Sequence, residues 1–153
     1  MPYIVDGNNV MAQRVGWHRD RSAARRRLIR DLAGFVGVTR AKLKVVFDGA
    51  PDGEFPEGRR FKSVQIHYAR PGSDADSRIR ELVEKASNRR DIVVVTSDKP
   101  LGSHVGRMGA QVLASGEFRK MIDDARRRVP EKPGDQEPID VDEWLEFFER
   151  GDG

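Results

Sequence analysis

The chain has 153 residues, enough for one domain with a substantial core and too few for two comfortable ones. With 35% charged and 37% hydrophobic residues, and no apolar run near the roughly 20 residues of a spanning helix, the composition excludes wholesale disorder and a helical membrane span. The net charge of +3 conceals an asymmetry: residues 1–130 carry 26 Lys/Arg against 16 Asp/Glu, whereas residues 131–153 carry 2 against 9. A basic body is the electrostatic footprint of a protein that handles polyphosphate, and equally of a chain simply rich in arginine.

The absence of cysteine removes disulfides, thiolate catalysis and Cys-ligated zinc, and His18, His67 and His104 lack the spacing of a histidine metal site. Met-Pro runs directly into the first apolar stretch with no basic leader or cleavage site, so a cytoplasmic protein is expected.

In chain order, strands are predicted at 2–6, 42–48, 64–69, 91–97 and 110–114. Helices are predicted between them at 20–36, 74–88, 99–107 and 116–128. The runs IVV and VVF lack alternation, the mark of strands covered on both faces, so alternating strand and helix implies a three-layer α/β sandwich with a parallel sheet. VQIHYA does alternate, with Val64, Ile66 and Tyr68 on one face, and reads as an edge strand. Residues 49–62 read as a surface loop and 130–138 as a Pro-rich linker. A final helix then places Val141, Trp144, Leu145 and Phe148 on one stripe, suited to docking on its own domain or to binding a partner. Residues 1–129 thus form the domain and 130–153 an acidic linker and helix.

The acids fall where a parallel sheet places ligands, beyond the carboxyl ends of its strands. Asp6 closes the first strand, Asp48 the second and Asp98 the fourth, while Asp74 and Asp76 follow the third at the start of a helix. Five carboxylates gathered on one edge repel one another unless a cation joins them, and oxygen-only ligands suit Mg²⁺ or Mn²⁺. Each acid also has a structural reading. Asp74 or Asp76 can cap a helix, Ser97 or Asp98 another, and Asp48 before Gly49 can form a turn. Asp6 differs, since no helix is expected after Gly-Asn-Asn; Asn8 and Asn9 beside it offer amides to orient water or a phosphate oxygen. The histidines read as packing or solvent-facing residues.

The segments IVDGNNV, VVFDG, SDADSRIRELV and IVVVTSDKPL, in that order, resemble the YacP-like branch of the NYN domains, within the PIN-like nucleases, over about residues 3–122. The resemblance implies a Rossmann-like sheet of order 3-2-1-4-5, a metal-dependent acidic pocket and endoribonuclease activity, with messenger RNA and the ribosome as partners. It places the catalytic and metal-holding acids on Asp6, Asp76 and Asp98, with Asn8 in the matching motif. Asp76 stands where such enzymes often carry glutamate, Asp74 has no counterpart, and the acidic tail lies outside the pattern. Asp48 and Asp74 are then candidates for outer-shell waters. Arg25, Arg26, Arg59, Arg60 and Lys99 are candidates for the RNA backbone, with Arg27 beside them, and Trp17 for base stacking or core packing. Two other readings compete: a receiver-type phosphoacceptor domain using Asp48, which leaves Asp76 and Asp98 idle, and an RNA- or ribosome-binding module that does not cut.

Overall fold

The structure, a computed structural model, describes residues 2–128. The predicted linker and final helix lie outside the described residues. Six strands are present there: β1 (Pro2–Asp6), β2 (Lys42–Phe47), β3 (Arg60–Phe61), β4 (Val64–Tyr68), β5 (Val93–Val95) and β6 (Gln111–Leu113). Five helices accompany them: α1 (Gly7–Met11), α2 (Arg21–Thr39), α3 (Ala75–Lys85), α4 (Lys99–Arg107) and α5 (Ser115–Arg128). The sheet runs β3-β4-β2-β1-β5-β6, parallel except for β3. Without that two-residue strand, the order is the 3-2-1-4-5 expected from the sequence.

The chain leaves the centre through β2 and β4, returns across the sheet, and continues outward through β5 and β6 on the other side. Strand order therefore reverses between β1 and β5, and the crevice at their carboxyl ends is the natural ligand position.

Two apolar layers flank the sheet. Val5, Val45, Phe47, Ile66 and Val95 pack beneath α1, α2 and α5, where Tyr3, Phe35 and Phe118 form an aromatic trio with centroids 5.2–5.7 Å apart. Ile4, Val46 and Val94 pack beneath α3 and α4 through Ile79, Val83, Leu101 and Val105. On the first of these faces Asp31 of α2 accepts Arg14 at 3.2 Å and Arg119 at 2.9 Å, joining α2 to α5 and to the segment after α1. Burial is the main reason its carboxyl pKa is raised, with the arginines opposing.

Two features differ from the sequence reading. A helix does begin directly after Asp6. The β1–α1 junction is so tight that a Cβ on Gly7 would stand 2.5 Å from Phe47 Cε1 and 2.9 Å from the Val46 carbonyl oxygen. Two asparagines conceal this helix because their intrinsic propensity is low; tertiary hydrogen bonds from their amides compensate. The loop at 49–62 also contains a strand, β3, which pairs with the first half of VQIHYA, so β4 is one place in from the edge. As expected, Val64, Ile66 and Tyr68 of β4 face the core.

Candidate active site at the carboxyl edge of the sheet

Asp6, Asp48 and Asp98 stand together across the switch point. Burial is the main influence on Asp6 and pushes its pKa up to about 6; the negative charges of Asp48 and Asp98 add to it, while Thr96 and the Asn9 backbone N–H pull it back. Among the described residues no Lys or Arg forms an ion pair with any of these three carboxylates.

Each acid is held by the backbone geometry around it. Thr96, buried at the end of β5, donates its hydroxyl to Asp6 Oδ2 at 3.0 Å and accepts the Asp98 N–H at 3.1 Å, so one hydroxyl fixes two of the three acids. Asp98 caps α4 by accepting the Leu101 N–H at 3.0 Å. Asp48 accepts the Ala75 N–H at 2.6 Å and so ties the amino end of α3 to the end of β2. The capping role read from sequence for Asp98 is therefore real, whereas Asp48 binds the amino end of α3 instead of closing a turn; in both the second oxygen is left over, since Oδ2 of Asp48 and of Asp98 takes no hydrogen bond from a described residue.

The two asparagines act as lashings. Asn8 Oδ1 accepts the Asp48 N–H at 2.9 Å. Asn9 Oδ1 accepts both the Ser97 N–H at 2.9 Å and the Ser115 hydroxyl at 2.5 Å. Ser97 Oγ in turn accepts the Ser115 N–H at 3.0 Å. The loops after β1, β2, β5 and β6 are thus bound into one rim. Sequence reasoning placed Asn8 and Asn9 beside the site for water or phosphate; the structure turns their carbonyl oxygens toward backbone N–H groups.

Asp74 and Asp76 share the edge but sit apart electrically. Asp74 caps α3 by accepting the Ser77 N–H at 2.8 Å, the main reason its carboxyl is held below the usual range. Asp76, in the first turn of α3, pairs with Arg80 Nε at 2.5 Å. Among the described residues, no three acids or histidines form a ready-made metal cluster. The donor chemistry nevertheless suits a hard divalent ion: oxygen ligands only, three carboxylates without a protein cation, and a buried one resisting ionisation.

The expected backbone-binding residues divide. Arg25 donates to the carbonyls of Asp48 at 2.9 Å and Ala50 at 3.1 Å and lies 5.2 Å over the Phe47 and Tyr68 rings, so it pins the loop after β2. Arg26 pairs with Asp52 at 3.7 Å. Lys99 is exposed at the start of α4, next to Asp98, and Arg27 is exposed on α2. Arg59 and Arg60 are exposed on the β3 hairpin, and Arg60 stands opposite Gln65, toward the far edge of the sheet. Trp17 is half-buried against the core with the Arg21 guanidinium 5.3 Å from its ring. His67 is buried, its Nδ1 2.7 Å from Glu57, and burial pushes its pKa down.

Sequence reasoning missed Thr96 and Ser115. The register Val5↔Val95 sets Thr96 beside Asp6, a pairing that sequence spacing alone does not display.

The mostly parallel sheet of this order, with acids at its switch point, has the PIN-like fold. A model of the YacP-like NYN domain matches residues 3–144, and the chain belongs to that family. Its fold is similar to the crystal structure of Rae1 (YacP) from Bacillus subtilis, with a TM-score of 0.69 and 22% identity over 98% of this chain and 93% of that one. The W164L mutant of the same protein gives a TM-score of 0.69 and 24% identity over 83% and 77%. Comparison with curated proteins gives no match.

Proposed function

We propose that the protein is a metal-dependent endoribonuclease that hydrolyses phosphodiester bonds in RNA. The observation that carries this reading is the trio Asp6, Asp48 and Asp98 at the switch point: the charges of Asp48 and Asp98 add to the burial that raises the Asp6 pKa, and among the described residues no Lys or Arg forms a salt bridge with any of the three carboxylates. A pocket with no such task gains nothing from that repulsion.

Asp6 and Asp98 would hold a Mg²⁺ or Mn²⁺ ion, with Asp48 and, after release from Arg80, Asp76 completing its surroundings. The chemistry such an ion would supply there is a lowered pKa of bound water and neutralisation of charge on the phosphoryl oxygens. Thr96 keeps Asp6 and Asp98 aligned, and the rim tied by Asn8 and Asn9 holds the acids rigidly, as positioning catalysis requires. Lys99 and the amino end of α4 offer positive potential to the phosphate beside Asp98. Messenger RNA is taken as the substrate class and the cytoplasm as the compartment, and co-sedimentation with ribosomes tests the ribosome as partner.

The test incubates full-length protein with a labelled single-stranded RNA and Mn²⁺. Cleavage that stops on adding EDTA and falls by about a thousandfold or more in Asp6→Asn, with RNA binding retained, is the expected result. Equal cutting by parent and variant overturns the assignment. Binding without cutting in the parent would make it a non-catalytic RNA-binding module.

A further inference from the structure

The amino edge of the sheet carries the opposite charge. β2 is a central strand, yet Lys42 and Lys44 are exposed while Leu43 and Val45 between them are buried. The cause lies in the helix layer: Val46 on the same face is covered by Ile79 and Val83 of α3, but α3 ends at Lys85, leaving the first half of that face bare. The result is a trough of two adjoining open cavities, about 610 and 980 Å³, which share Arg40, Lys42, Leu43 and Lys44.

The smaller cavity is lined by Arg40, Lys42, Lys44, Arg60 and Lys62 and by no acid. The larger adds Lys85, which pairs with Glu81 at 3.1 Å, and a single acid at its rim, Asp91. Among the described residues no carboxylate forms an ion pair with Arg40, Lys42, Lys44 or Arg60.

A second observation coincides with this charge. The non-glycine residues in left-handed backbone conformation, Arg40 (φ 60°), Lys62 (φ 48°) and Ser63 (φ 71°), all line the smaller cavity. Arg40 is the left-handed cap of α2, and Lys62 and Ser63 are the two turn residues between β3 and β4, so cap and turn geometry fix the backbone that presents these cations.

We propose that this trough is a second RNA-binding surface, gripping the sugar–phosphate backbone at a segment remote from the carboxyl edge. Lys42 and Lys44, two residues apart on one strand, present charges roughly 6.6 Å apart, an interval suited to successive phosphates of an extended strand. Lysines read phosphate as point charges without regard to base. Lys44 and Lys42 stand four and six positions before Asp48, so the trough lies roughly 13 to 20 Å from the acids and belongs to a different part of the bound strand. The choice of RNA as the polyanion rests on the function proposed above, while binding at this surface requires no cutting.

Binding is measured in EDTA, so that cutting plays no part, with a fluorescein-labelled 20-nucleotide oligouridylate titrated with full-length protein at several salt concentrations. Lys42→Gln/Lys44→Gln, checked for folding by circular dichroism, is expected to bind at least fivefold more weakly. It should also flatten the slope of log K against log salt by about 1.4, two single-strand contacts at roughly 0.7 each. Removing two exposed cations elsewhere, in Arg107→Gln/Lys120→Gln, should have a much smaller effect. Unchanged affinity and slope in the trough variant overturn the proposal and leave the surface to an acidic polypeptide such as residues 131–153. Equal weakening by both variants overturns it as well, since the charge would then act without a site.

Discussion

The two edges of the same sheet solve opposite problems. At the carboxyl edge, negative charges are crowded and each is fixed by hydrogen bonds from a neighbouring loop; at the amino edge, positive charges project from strand and turn with few ties. Charge that must sit at a defined point relative to a reacting bond needs a rigid support, whereas charge that holds a flexible polyanion needs only to be present. Substitutions at the carboxyl edge should therefore disturb folding and chemistry together, and those at the amino edge should leave folding alone.

The largest effect that would sharpen this contrast is expected at Gly7. Gly7→Ala forces a methyl into Phe47 and the Val46 carbonyl and should destabilise by about 3 kcal/mol in urea denaturation. Retained stability would mean that the β1–α1 junction yields easily. Next, Asn9→Ala strips the acceptor from the Ser97 N–H and the Ser115 hydroxyl. A loss of about 2 kcal/mol is expected from denaturant midpoints, and a fall of about a hundredfold in cleavage from turnover assays, because the rim opens.

Asp6→Asn should act on stability in the other direction. Burial keeps the folded Asp6 pKa near 6 against 3.8 for an ordinary aspartate, so the folded state binds its proton more tightly than the unfolded chain. The metal-free protein is then penalised as pH rises from about 4 to 6, and fully so above that. The variant should be more stable than the parent by on the order of 1–3 kcal/mol at pH 7.5 in EDTA, with the gap closing by pH 4 in paired thermal melts. The smallest effect is expected from Lys42→Gln, within about 0.5 kcal/mol of the parent by the same melts. A loss several times larger would show that the amino edge is structural too.

Much of the carboxyl edge was legible in the sequence. Parallel-sheet geometry places residues that end apolar runs on one side, and Asp6, Asp48 and Asp98 each end such a run. The five principal strands and four of the helices follow from periodicity, with boundaries shifted where caps decide them; α2 continues past Gly34 and Gly37 to an Arg40 in left-handed conformation. What stayed hidden depended on tertiary partners. The short α1 rests on amide lashings to β2 and β5 rather than on propensity, and the β3 pair is too short to show a period. Arg25 read as a free cation until the loop after β2 folded over it, and the bare face of β2 follows from where α3 stops, a property of another segment.

The doubly used carbonyl of Asn9 has a consequence for the order of assembly. It reaches from the ninth residue to Ser115, so the rim closes only when the last strand, β6, has joined the sheet and the last described helix has packed on it. On a ribosome, every acid of the trio emerges before that clasp does. A nascent chain paused before Ser115 therefore carries all three acids of the trio at a rim that is not yet fastened.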